Sequence, residues 1–219
     1  MDPLSIIAST IAIFGAISKT YDTIKKISGL PEAFEEVKRQ VPIVNQILRG
    51  ATLQLAQGLE LNDEETASVL AIVNPCKEKA EKLENIFKKL QDKCQAEGGP
   101  LLWKDRIRNT YHSVLAGTKA NKVERLMEDI LKGAKLLALN QVFKTGQDLT
   151  AIEKAIESLA IVEPSIPDSE LEGAGIINAQ QSVASNAHGQ QNNVQGGSNT
   201  FNTGQYIGQN LYFGERPKQ

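Results

Sequence analysis

The sequence predicts an all-α protein: a helical bundle of about six to seven helices, then a disordered linker, then a short C-terminal amyloid-forming segment. Three observations predict this. Apolar residues recur every three to four positions from the N-terminus to about residue 160, the period of helices with one buried face. No run before Glu163 reads as a β-hairpin. From Gly173 to Gly214 the chain carries no Asp, Glu, Lys or Arg, and about a third of those residues are Asn or Gln, a composition that cannot bury enough surface to fold alone. The boundary falls at "EPSIPDSE", from Glu163, where two prolines and a run of acids interrupt the pattern. This gives a helical domain over 1–162, a flexible linker over 163–197 and the final segment over 198–214.

The elements follow in order. Asp2 is placed to cap the first helix, and Pro3 suits its first position. The apolar pattern runs to Ile27 and stops at Gly29, with Pro31 beyond. A second helix is predicted from about Pro31 to Gln57 on Phe34, Val37, Val41, Val44, Ile47 and Leu48; Pro42, which has no N–H to donate, predicts a kink. Asn62 and Glu65 have the spacing of a capping box and open a third helix, which Pro75 is expected to bend or break. "CKEKAEKLENIFKKLQDKC" then points Ala80, Leu83, Ile86, Phe87 and Leu90 inward and its lysines outward, until "EGGP" ends it. Further helices are predicted from near Leu101, over about Asn121–Lys144 and over Asp148–Ala160.

Composition excludes several classes of chemistry. A formal net charge of −2 gives no case for nucleic-acid binding by charge. Cys76 and Cys94 lack a CxxC spacing and no cleavable signal is evident, which fits a reduced cytosolic protein. His112 and His188 are too few and too isolated for a metal site, and no cofactor is expected. "GAISKT" fails as a phosphate-binding loop because Ser18, not glycine, precedes Lys19. Neither a GxSxG elbow nor an HExxH pair occurs. The "WKDRIR" cluster, Trp103 to Arg108, reads as a solvated face around a buried Trp, and His112 as a plain helix residue. The sequence points away from an enzyme.

The first helix stands out. Leu4, Ile6, Ile7, Ala8, Ile11, Ala12, Ile13, Phe14, Ala16 and Ile17 form an uncharged run, the candidate membrane-targeting helix. Ala8, Ala12 and Ala16 place a small residue at every fourth position, which allows close helix approach. At rest it is expected to be a central core helix shielded by the others. Leu4–Ile17 spans roughly 21 Å at ~1.5 Å per residue, short of the ~30 Å bilayer core, so it is not a constitutive anchor. Expelled, and extended by Ser18, Thr20 and Tyr21 with Lys19 snorkelling, it would nearly span a thinned bilayer.

The tail reads "NTFNTGQYIGQNLYFG" and is almost symmetric about Tyr206. Asn202 mirrors Asn210, Gly204 mirrors Gly208 and Phe201 mirrors Leu211. Asn199, Gln205, Ile207, Gln209, Phe213 and Gly214 complete the segment. Uncharged, free of proline and rich in amides and aromatics, it has the ingredients of cross-β stacking, where identical side chains form ladders. Glu215, Arg216 and Lys218 follow as charged gatekeepers.

The opening "MDPLSIIASTIAIFGAISKTYDTIKKISGLP" resembles fungal HeLo-like (HELL) domains, found at the N-termini of STAND/NACHT receptors and in cell-death executors. The tail resembles the pseudo-palindromic (PP) prion-forming motif of fungi, itself similar to the mammalian RHIM with its Gln–apolar–Gly core, here Gln205, Tyr206, Ile207 and Gly208. The resemblance implies an amyloid-controlled executor of programmed cell death, cytoplasmic when resting and at the plasma membrane when activated. The implied partners are further copies of the chain in an amyloid, an NLR/STAND receptor with a matching motif, and plasma-membrane lipids, with no nucleic acid. The alternative is a non-lytic adaptor that polymerises through the same motif.

Overall fold

The computed structural model describes residues 2–96, 102–143 and 149–172. They form an all-α bundle of seven α-helices: α1 (Pro3–Ile24), α2 (Glu32–Ala56), α3 (Asp63–Ala96), α4 (Arg108–Leu115), α5 (Val123–Leu139), α6 (Thr150–Ile161) and α7 (Asp168–Glu172). A π-helical turn, Trp103–Ile107, leads into α4, and a 3₁₀ turn, Lys119–Asn121, precedes α5. Among the described residues no strand forms; Ser28 and Leu102 make an isolated parallel bridge.

The predicted start signals hold. The Asp2 carboxylate accepts from the N–H groups of Leu4 and Ser5, both at 3.1 Å. Asn62 and Glu65 cap α3 reciprocally: each side chain accepts the other's backbone N–H at 2.9 Å. Gly29 turns the chain out of α1 at φ +76°, a conformation that strains any residue with a Cβ. Of the predicted bend or break at Pro75, the break does not occur: α3 runs on as one helix of 34 residues. Pro75 and Ala71, whose carbonyl loses its partner there, are both exposed, so the carbonyl is open to solvent rather than orphaned in the core. Pro42 likewise lies exposed within α2.

Phe34 stands at the centre of the core. Its ring lies 5.6 Å from Phe87, 5.5 Å from Trp103 and 5.3 Å from Tyr111, all tilted or edge-on. These contacts join α2, α3, the π-turn and α4, in the geometry that aromatic quadrupoles favour. Ala80, Leu83, Ile86, Phe87 and Leu90 are buried as the periodicity predicts.

The packed chain extends beyond the expected boundary. Ser165, Ile166 and Leu171 are buried, and α7 forms where the sequence predicts the start of a linker. The two prolines end α6 but not the packing, because Ile166 and Leu171 supply apolar anchors among the acids. The segment 198–214 and the rest of the predicted linker lie outside the described residues.

Candidate functional site

The structure divides the candidate membrane helix along its length. Ile6, Ile7, Phe14 and Ile17 are buried, together with Thr10, Thr20 and Ile24. Leu4, Ile11, Ile13 and Ala16 are half-buried, whereas Ala8 and Ala12 are exposed. The expected shielding by other helices is therefore corrected. α1 packs mainly on α3 and α2, while α5 packs on α2 and α3 in turn, leaving one side of α1 facing solvent. That side carries Ser5, Ala8, Ala12 and Gly15. A Cβ built at Gly15 meets nothing within 4 Å.

Two further properties of α1 matter chemically. It has 22 residues rather than the fourteen of the uncharged run, so its length of about 33 Å matches a bilayer core of ~30 Å. Among the described residues it is the one helix long and apolar enough to cross a membrane, a test that core helices of soluble proteins also pass. Three of its hydroxyls bond locally, whereas Thr23 Oγ1 accepts from Gln91 of α3 at 3.2 Å. Thr10 Oγ1 donates to the Ile6 carbonyl at 2.8 Å, Thr20 Oγ1 to the Ala16 carbonyl at 2.9 Å, and Ser5 Oγ to Asp2 at 2.9 Å. Hydroxyls bonded to their own helix, as these three are, change solvent without being orphaned.

A second cluster holds the segment after α6 against α4 and α5. Val123 N–H donates to Tyr111 Oη at 3.1 Å, and Ser165 Oγ donates to Glu124 at 2.7 Å. Ser165 has one hydroxyl proton and gives it to Glu124, so its 2.7 Å bond with Tyr111 is donated by the tyrosine. The Ser165 N–H also reaches Glu124 at 3.3 Å. Tyr111, Glu124 and Ser165 are all buried, and burial above all, with Glu124 second, pushes the Tyr111 phenol up from its ordinary pKa.

Just beyond, Asp168 and Glu170 of α7 meet four basic residues. Asp168 pairs with Lys122 and, at 3.4 Å, with Lys119. Glu170 pairs with Arg108 and, at 3.1 Å, with His112. The Lys122 hydrogen bond holds the Asp168 carboxyl below its usual range. Sequence reading missed this cluster. Arg108 and His112 lie four apart on one helix face, a detectable signal, but their acidic partners sit past the apparent domain boundary. Among the described residues no three His, Cys, Asp or Glu side chains gather in a metal-holding group.

A helical bundle with an uncharged, half-exposed first helix is the frame of a helical effector domain. The family model of the SesA domain, described as an N-terminal domain on NACHT NTPase and P-loop NTPases, matches residues 7–137. The chain belongs to the SesA family. A NACHT-associated domain of this kind fits a fungal cell-death effector of the HeLo-like helical type. No curated protein and no solved structure matches the chain. The match spans most of α1 through most of α5, and the clamped segment and the tail lie beyond it.

Proposed function

We propose that this protein is a non-enzymatic executor of programmed cell death, cytoplasmic at rest, which attacks the plasma membrane through α1 when its tail is templated into an amyloid. The observation that carries the reading is α1 itself: long enough for a bilayer, uncharged from Pro3 to Ser18, and already exposed along one side. Membership of a family found on NACHT NTPases supports a receptor of that class as the upstream partner. That receptor would carry a motif similar to Asn199–Gly214, and its assembly would template the segment in this chain.

Energetics define what activation must supply. Extracting α1 exposes Ile6, Ile7, Phe14, Ile17 and Ile24; at roughly 1.5–3 kcal/mol each this is about 7–15 kcal/mol. That equals the whole stability of a typical domain, about 5–15 kcal/mol. Release of α1 is thus equivalent to opening the bundle, and the bilayer must take up the apolar surface as it leaves. Fibril assembly concentrates the bundles where this becomes feasible. Cross-β chains repeat every ~4.7 Å, whereas a domain of this length has a radius of gyration of roughly 16 Å. Neighbouring bundles are forced into crowding, and many copies of α1 meet one patch of membrane.

The test is dye release from liposomes by the full-length protein, with and without preformed fibrils of a Gln190–Gln219 peptide. Release that depends on the fibrils and disappears in Ile207→Pro, which removes a ladder donor from the tail, supports the reading. Fibril recruitment without release supports the adaptor instead.

A further inference from the structure

We propose that Arg108, His112, Lys119 and Lys122 form a binding site for the phosphate headgroups of anionic lipids, which Asp168 and Glu170 occupy until the strap 162–172 is displaced. The inference rests on the membrane reading above and adds a second, electrostatic contact surface to it. Three observations carry it. The four basic side chains converge on two carboxylates of a single five-residue helix, so an anion site is already built and filled in cis. Lys122 is 2% exposed, and its ammonium is turned to the Asp168 carboxylate rather than to water. The strap holds the last of the described residues and is joined through the backbone to the segment that the membrane reading makes the trigger.

The residue types suit phosphate. Arginine offers a planar fork of N–H donors, and lysine a compact charge, so together they match the oxygens of a phosphodiester or phosphomonoester at least as well as a carboxylate. The strap is also removable. It is held by only two buried apolar side chains, Ile166 and Leu171, by the Ser165 hydrogen bonds and by the two acids, and Asp168 remains more than half exposed. A membrane surface presents many phosphates at once and can displace two tethered carboxylates by local concentration. Each basic residue brought to an anionic surface strengthens binding by roughly fivefold.

The experiment is flotation of full-length protein with vesicles, with no tail fibrils added. Failure of amyloid templating therefore cannot affect the result, and fibril-triggered leakage is scored separately. In Asp168→Asn/Glu170→Gln the ratio of bound to free protein on phosphatidylserine vesicles is expected to rise roughly tenfold over wild type and to fall again with added salt. Vesicles of phosphatidylcholine alone should show no gain. Glu78→Gln/Asp92→Asn, which changes net charge equally at two exposed sites away from the strap, should bind as wild type does. Adding Arg108→Gln/Lys119→Gln to the strap variant should abolish the gain. Thermal melts establish that each variant is folded. If the double strap variant is not, Glu170→Gln alone carries the test, with an expected gain of about threefold. The proposal is overturned by an equal gain in the Glu78/Asp92 control or on phosphatidylcholine. It is equally overturned by a gain that survives loss of Arg108 and Lys119, or by one seen with single-stranded RNA and absent with vesicles.

Discussion

Tyr111 and Ser165, one in α4 and the other beyond α6, share a 2.7 Å hydrogen bond inside the core. It is the middle step of a directional relay from the Val123 N–H through Tyr111 and Ser165 to the Glu124 carboxylate. A segment that composition marks as the start of a linker is thereby fastened to the bundle by fully satisfied buried polar groups, which is where such a network is strongest.

Tyr111→Phe should therefore destabilise the bundle by about 1–3 kcal/mol, because the buried Val123 N–H loses its acceptor and Ser165 its donor while the ring packing is kept. Urea unfolding of the full-length protein and of its variant checks the value. The loss should be largely absent when Ser165 and Glu124 are replaced together by alanine and glutamine in both proteins, except for the part due to Val123.

Gly133 in α5 faces Cys76 in α3 so closely that an added Cβ would lie 2.2 Å from the thiol sulfur. Gly133→Ala is favourable for an isolated helix by about 1 kcal/mol. Here it should instead cost about 1–3 kcal/mol through overpacking. Cys76→Ala in the same protein removes the obstructing atom. The double variant should be more stable than the sum of the two single losses, as a thermal-denaturation cycle would measure.

Burial pushes the Cys76 thiol up from 9.0 to about 11, with Lys79 opposing weakly. The unfolded chain therefore releases this proton near pH 9 while the folded chain keeps it. The contribution is fully present below pH 9 and is lost as pH rises towards 11, at about 1.4 kcal/mol per pH unit. Urea melts in reducing buffer at pH 8.5 and 10.5 should show a steeper decline for wild type than for Cys76→Ala; parallel declines would contradict the assignment.

The bundle was legible because its signals are local. Asp2, Gly29, Asn62 and Glu65 mark helix ends through short-range hydrogen bonds and backbone preference, and the inward residues of α3 follow from one period. What escaped is set by distance and by the surface. Pro75 leaves α3 intact because it faces water, a property of the assembled bundle rather than of the sequence near it. The exposure of Ala8 and Ala12 depends on which helices lie beside α1, and an uncharged run looks the same whether covered on one side or all round. The clamp needs Arg108 and Lys122 to meet acids some fifty residues later, in a stretch whose prolines read as a linker.

Exposure of Ala12 makes one substitution clean. Ala12→Lys should fold with stability within about 0.5 kcal/mol of wild type, as surface changes usually do. A charge at the centre of an inserted helix costs roughly 3 kcal/mol, so fibril-triggered dye release should slow by at least about tenfold. Recruitment to tail fibrils should be unaffected. Thermal melts, fibril co-sedimentation and liposome release, run on one preparation, separate the three expectations.

The central claim is that α1 leaves the bundle and enters the bilayer. Its most direct test is the environment of a dye on Ala12→Cys; Cys76 and Cys94 are buried, so the new thiol is the accessible one among the described residues. Before activation the dye should report water, matching the exposure of residue 12. On addition of tail fibrils and liposomes its emission should shift to the blue and be quenched by nitroxide-labelled lipids placed near the bilayer centre, in step with dye release. Liposomes that leak while residue 12 stays in water, unquenched at any depth, would contradict the account.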